Sequence, residues 1–311
     1  MKIFSLNASS FIGEPVAAEL GVPLSAHEER EFEDTEFKVR PLDDVRGERV
    51  FVCQSLFADE RQSASDKLFR LLVFIGALKD AGAREVVALV PYLAYSRKDR
   101  RTKPGDPVTT RYVASFFEAA GTDAIVTADV HELAAFENAF RCRKVNVETV
   151  ELFVEHFAST LPRGRRVVAL SPDAGGMKRA IRFAQALAQR IGEPVGLALM
   201  EKQRSEGLVR GDVFGGDVSG ATVVIVDDMI STGTTAVRAA RAARERGASA
   251  VHVAATHAVF SAGAARTLAM SEIESIAVTD TVEPRVDDPA LRGKLAVLGI
   301  APLLAAAVKA V

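Results

Sequence analysis

The residues best suited to chemistry lie in "VVIVDDMISTGTT", Val223 to Thr235. An apolar run leads into two adjacent acids, Asp227 and Asp228. A hydroxyl-rich loop follows, with Ser231, Thr232, Gly233, Thr234 and Thr235, and then a helix-period segment. Backbone N–H groups at a helix N-terminus carry partial positive charge, and a glycine lets the chain approach phosphate oxygens closely. The hydroxyls add donors. The two carboxylates would repel a phosphate, but at a strand's carboxyl end they suit sugar hydroxyls. The stretch therefore reads as a loop that grips both ends of a phosphorylated ribose. A plain helix cap needs one hydroxyl and no adjacent acids.

Three further stretches carry candidates. In "SPDAGGMKRA", Asp173, Ala174, Gly175 and Gly176 form a strand-to-helix turn suited to an anion, and Asp173 offers oxygen to a hard cation such as Mg²⁺. In "YSRKDRRTK", Arg97, Lys98, Arg100 and Arg101 cluster with Lys103 after a strand ending near Pro91, a composition that matches polyphosphate. In "MEKQRSEGLVRGD", Met200 to Asp212, a polar segment follows a strand and reads as a mobile flap. Lys202 and Arg204 project alike in an extended chain, so both can close over a transferring phosphoryl group. A lone histidine, His131, follows another strand, and taken by itself is more often a structural residue than a ligand.

Positioning these loops requires strands that end where they begin. Short β-branched runs alternate with helix-period segments, which predicts an α/β fold with mostly parallel sheets flanked by helices. Strands are expected at Arg49–Cys53, Glu85–Val90, Ala124–Ala128, Arg166–Ser171, Val195–Met200, Thr222–Val226 and Val251–Ala255. Helices are expected at Ser65–Ala81, Thr109–Ala120, Val150–Ser159, Met177–Arg190, Thr235–Arg246 and, docking on either domain, Pro302–Val311. A faint repeat emerges when Arg49–Tyr92 is laid on Thr222–His257, matching Val50 to Val223 and Gly82 to Gly247. Gln54 and Ser55 then stand where the second copy has Asp227 and Asp228. Two similar domains are expected, 1–143 and 144–311, only the second retaining the sugar acids.

With 311 residues and 48% apolar content the chain is long enough for two cores. A net charge of −2 supplies no bulk field for nucleic acid or an anionic membrane, so neither is an expected partner. No run suits a membrane span, which makes a cytoplasmic location the expectation. The two cysteines, Cys53 and Cys142, have no metal-type spacing and read as unpaired thiols.

The motifs, taken in order, resemble those of ribose-phosphate pyrophosphokinase, the phosphoribosyl pyrophosphate (PRPP) synthetase family. The resemblance rests on "FEDTE" at Phe32–Glu36, "SRKDRR", "DVHE" at Asp129–Glu132, "SPDAGG", "EKQR" and "DDMISTGTT", and covers nearly the whole chain. It implies two phosphoribosyltransferase-type domains and transfer of pyrophosphate from Mg-ATP to the anomeric hydroxyl of ribose 5-phosphate, giving PRPP and AMP. It implies ribose contacts from Asp227 and Asp228, 5-phosphate contacts from Ser231–Thr235 and a pyrophosphate loop at Asp173–Gly176. Mg²⁺ positions at His131 and Asp173 are implied, with His131, Lys202 and Arg204 in catalysis. Phe32, Asp34 and Glu36, with Arg97, Lys98, Asp99 and Arg100, resemble the ATP site. In the family the Phe32 segment commonly reaches a neighbouring subunit, which implies a homo-oligomer built from dimers, up to a hexamer. The chain departs from the family pattern at Thr35, where glycine is usual, at Lys98, where glutamine is usual, and at Ser231 and Thr234, where Asp and Gly are common. The alternatives are a PRPP-consuming phosphoribosyltransferase and a non-catalytic regulatory homologue.

Overall fold

The structure, a computed structural model, describes residues 1–205, 208–269, 271–284, 286 and 288–311, with the side chains of 202–212 outside that description. The chain forms two compact units, one of Met1–Glu148 with Gly299–Val311, the other of Thr149–Leu298.

The first unit runs β1 (Lys2–Ser5), α1 (Ser10–Leu20), β2 (His27–Glu31), β3 (Phe37–Pro41), β4 (Arg49–Cys53), α2 (Ala64–Asp80), β5 (Glu85–Val90), α3 (Thr109–Ala119), β6 (Ala124–Ala128), α4 (Leu133–Ala139) and β7 (Arg143–Val147). Its five-stranded sheet, in order β1-β4-β5-β6-β7, is parallel throughout, and β2 and β3 form a separate antiparallel hairpin. β5 and β6 are almost wholly buried, which is why they appear in the sequence as unbroken apolar runs. α2 starts at a reciprocal cap: the Asp66 N–H donates to Ser63 Oγ at 3.1 Å and the Ser63 N–H to Asp66 Oδ2 at 2.8 Å. The expected domain boundary at residue 143 is corrected. β7 hydrogen-bonds along β6, so residues through Glu148 stay with the first unit.

The second unit runs α5 (Val150–Thr160), β8 (Val167–Ser171), α6 (Met177–Ile191), β9 (Val195–Ser205), β10 (Leu208–Gly215), β11 (Thr222–Met229), α7 (Thr234–Glu245), β12 (Ala250–His257), α8 (Ala264–Ala269), β13 (Ser275–Thr279), α9 (Pro289–Arg292) and β14 (Leu295–Leu298). Its sheet, in order β10-β9-β8-β11-β12-β13-β14, is parallel except for β10. Alternate strand residues feed two cores. Val167, Ala169 and Val224 join Phe157 and Phe183 of α5 and α6, whereas Val168, Leu170 and Val223 join Ala239, Ala243 and Leu268 of α7 and α8. The sheet is thereby covered on both faces. The chain then returns to the first unit as α10 (Ala301–Ala310), which packs on α1, one of the two dockings expected for the last helix.

The repeat is visible in backbone detail. β4-α2-β5 and β11-α7-β12 are both parallel β-α-β units. Gly82 and Gly247, both left-handed at φ +90 and +85, follow the two helices. The carbonyl of Gly82 accepts from Gly47 N–H at 2.9 Å, and that of Gly247 from Gly220 N–H at 2.8 Å.

Candidate functional site

In the second unit the loops follow the carboxyl ends of β9, β8 and β11, which are neighbours in that order. β11 continues past the expected Val226 to Met229, so Asp227 and Asp228 lie within its last three residues, with Ala255 of β12 opposite Asp227. Asp228 is 3% exposed and its N–H donates to Asp227 Oδ1 at 2.9 Å. Burial, and then the charge of Asp228, push the Asp227 carboxyl well above the ordinary carboxylate range, while the Arg179 guanidinium pulls the other way.

The hydroxyl loop is held open by its own bonds. Gly233 caps α7 at φ +76, a left-handed conformation that favours glycine. A Cβ there would lie 2.9 Å from Leu268 Cγ, so both backbone and space require glycine. Thr232 Oγ1 and Thr234 Oγ1 are 2.8 Å apart. A second loop, after β12, braces the first: Phe260 N–H donates to Ile230 O and Ser261 N–H to Ser231 O, each at 3.0 Å, with Ser231 Oγ 3.5 Å from Ser261 Oγ. The sequence reading missed this brace. Its signal is "VFSAG" directly after a strand adjacent to β11.

After β8, Asp173 folds back on its own loop. Its Oδ1 accepts the Gly176 N–H at 2.9 Å, and Ser171 Oγ donates to its carbonyl at 2.6 Å. Asp173, Ala174 and Gly175 are exposed. A Cβ on Gly176 would meet Ser171 Oγ at 2.8 Å. Three residues on, Arg179 reaches across to Asp228, its Nη1 3.7 Å from Oδ1. Sequence reasoning passed over Arg179 although it lies inside the quoted motif. The segment after Met200, expected as a flap with Lys202 and Arg204 in extended chain, is the extension of β9 paired antiparallel with β10, with Lys202 opposite Asp212 and Arg204 opposite Val209. The side chains of Lys202 and Arg204, named as a catalytic pair, lie outside the described residues.

The first unit holds the remaining candidates. Arg97, Lys98, Asp99 and Arg100 follow β5, and His131 follows β6, its neighbour in the sheet. Lys98 is engaged locally: its Nζ lies 2.6 Å from Asp106 Oδ2 and 3.0 Å from Thr102 Oγ1. That hydrogen bond, with others from Thr102, lowers the Asp106 carboxyl far below its ordinary range. Thr109 Oγ1 anchors the loop by donating to the Tyr95 carbonyl at 3.0 Å. Phe32, Asp34 and Glu36 occupy the exposed turn between β2 and β3, apart from the β5 and β6 ends in the sequence and not in a shared sheet. Thr35 takes φ +72 there, so the position at which the resemblance expects glycine does adopt glycine's conformation. Where the second unit has its acid pair, the first buries Gln54 and Ser55, and Ser9 Oγ accepts the Ser55 N–H at 2.9 Å. Both cysteines are free, and burial pushes the Cys53 thiol up to about 12.

Among the described residues no three His, Cys, Asp or Glu side chains gather at metal-binding distance. Asp173 nevertheless suits Mg²⁺, since it is exposed and Mg²⁺ keeps several waters while taking one or two carboxylates and substrate phosphates. No helix among the described residues is long and apolar enough to cross a membrane.

Comparison with known proteins bears on the whole chain. Residues 1–121 match the family model for the N-terminal domain of ribose phosphate pyrophosphokinase, and residues 211–311 the phosphoribosyl synthetase-associated domain. A ribose-phosphate pyrophosphokinase from Hyphomonas neptunium is 34% identical, with 99% of this chain and 96% of the relative aligned. One from Ralstonia nicotianae is 36% identical over 98% of this chain and 93% of its own. The crystal structure of phosphoribosylpyrophosphate synthetase from Mycobacterium smegmatis superposes with a TM-score of 0.87 at 33% identity, covering 99% and 97% of the two chains.

Proposed function

We propose, from the premise that the chain belongs to the ribose-phosphate pyrophosphokinase family, that it transfers the pyrophosphoryl group of ATP to the anomeric hydroxyl of ribose 5-phosphate, forming PRPP and AMP. The sugar oxygen attacks the β-phosphorus, the bond to the α-phosphate oxygen breaks, and the hydroxyl proton passes to solvent. Such transfer depends on positioning and charge neutralisation rather than on a protein nucleophile. In this reading Asp227 and Asp228 accept hydrogen bonds from the ribose hydroxyls. The amides and hydroxyls of Ser231–Thr235 take the 5-phosphate. Asp173–Gly176 takes the moving pyrophosphate, Lys202 and Arg204 offset the charge that develops on it, and Arg97–Arg100 with Phe32, Asp34 and Glu36 bind ATP.

Asp173 and His131 are the positions that would each be available to Mg²⁺ arriving with ATP, which would neutralise phosphate charge. The oxygen of Asp173 is the better match to so hard an ion. The reading belongs to a cytoplasmic enzyme acting on small molecules. A homo-oligomer belongs to it as well. In the first unit Phe69, Tyr112 and Phe116 are 61%, 48% and 54% exposed around an apolar cleft of about 370 Å³. Phe37 packs edge-on against Phe69 at 5.7 Å, which makes this face continuous with the turn bearing Phe32 and favours a second copy as its occupant.

One observation supports the reading most: two carboxylates at the end of a strand run straight into a glycine-capped hydroxyl loop, beside a second glycine loop. Incubating the purified chain with ATP, Mg²⁺ and ribose 5-phosphate should yield AMP and PRPP in equal amounts. ATP left intact in the presence of the sugar would reject it.

A further inference from the structure

Arg179 is one turn into α6, where it faces two loops at once. Its Nη1 stands 3.7 Å from Asp228 Oδ1 and 3.8 Å from the point where a Cβ on Gly176 would sit. Its side chain is 23% exposed, so it is neither a solvated surface arginine nor a buried one. Among the described residues its guanidinium has this ion pair and makes no hydrogen bond. At 3.7 Å the attraction to Asp228 is one of charge and not of a directed bond, which leaves the planar donors available.

We propose that Arg179 is a positioning residue that couples the two loops: it is the counter-ion of the Asp227–Asp228 pair and, through the same guanidinium, the cation beside the bare backbone of Gly176. The proposal rests on the reading that the acid pair holds ribose. Two consecutive carboxylates, one of them buried, repel each other and favour sharing a proton. A protonated member loses acceptor capacity for sugar hydroxyls. A cation within ion-pair range offsets part of that repulsion and draws the pair back toward the ionised form that accepts fully. An anion entering the Gly175–Gly176 loop then meets the same charge, so the two halves of the site depend on one side chain. The i, i+3 spacing from Gly176 to Arg179 fixes this geometry, because α6 begins at Met177 and its first turn aims the side chain back over the loop.

The test is calorimetric binding of ribose 5-phosphate and of inorganic pyrophosphate, separately, to the resting full chain and to Arg179→Gln, Arg179→Met and Arg179→Lys. Thermal melting identifies the temperature at which each variant is folded. Both neutral variants should weaken ribose 5-phosphate about tenfold or more, and pyrophosphate likewise. Arg179→Lys should stay within about threefold of the parent for the sugar, because a charge-only role tolerates the change of shape. Neutral variants binding the sugar within about twofold of the parent would overturn the proposal. So would a lysine variant as weak as the glutamine one, which would point to packing. A parent chain that binds ribose 5-phosphate yet forms no AMP rejects the reaction while the variants still decide on Arg179. A parent that forms AMP, with neutral variants unchanged in binding, rejects Arg179 alone. No sugar binding by the parent rejects both.

Discussion

Asp227 sits where a titration and a ligand meet. Its carboxyl is raised by burial and by Asp228, so the fold favours its neutral form. Folded stability from this group is therefore full below the unfolded value and is lost as pH rises through the raised folded value. Ribose binding has the opposite need, because only the ionised pair accepts fully from hydroxyls. As pH falls through the raised value, the KM for ribose 5-phosphate should climb while acidity is still too weak to titrate ordinary carboxylates, and the KM for ATP should move less. Steady-state KM values from the pH of maximal activity down to the onset of ordinary carboxylate titration measure this, and a sugar KM flat across that range would sink it. At this scale the sequence was legible where chemistry demands residue types: the acids, the hydroxyls and Gly233. It was also legible at Thr35, whose φ of +72 costs a non-glycine residue about 1–2 kcal/mol. Arg179 escaped because a lone arginine in a helix carries no pattern; only the fold brings it to Asp228.

The hairpin of β9 and β10 shows what happens when an element is built from polar residues. From Glu201 to Asp212 the sequence lacks apolar alternation, the main strand signal, so it reads as a flap rather than as a sheet strand. Antiparallel backbone pairing of 201–205 with 208–213 makes a sheet edge there, with Lys202 and Arg204 two residues apart on β9. Lys202→Ala and Arg204→Ala should each lower kcat about a hundredfold or more with far smaller changes in KM, since charge on the moving group appears mainly in the transition state. Initial rates at varied ATP and sugar check it, and an unchanged kcat in both variants removes the pair from the mechanism. Strands such as β4, β5 and β6 were found at their observed limits because burial on both faces makes them continuously apolar. The short β1 and β14 and the partly exposed β7 offered no such run.

At the scale of the molecule, an apolar cleft ringed by exposed aromatic residues is costly to leave in water. Phe69→Glu and Phe116→Glu should convert the assembled protein to smaller species in sedimentation velocity, leaving the melting behaviour of each unit intact. A parent chain that sediments as a protomer at micromolar concentration would dismiss the second copy as occupant. The α/β class and the repeat could be read from periodicity and from the glycines that end matching helices. The boundary after residue 143 could not, since β7 is assigned by its pairing to β6, whereas docking of the last helix on the first unit was one of two open readings, decided by the packing of α10 on α1.

That placement of α10 has a consequence for how the protein is made. Ribosomes deliver the chain from N- to C-terminus, so the residues of Thr149–Leu298 emerge before α10, which packs on α1. Domains generally mature in the order they are synthesised. Here α10 reaches a unit whose other elements precede Thr149, so α1 stays uncovered by it until the second unit has been synthesised.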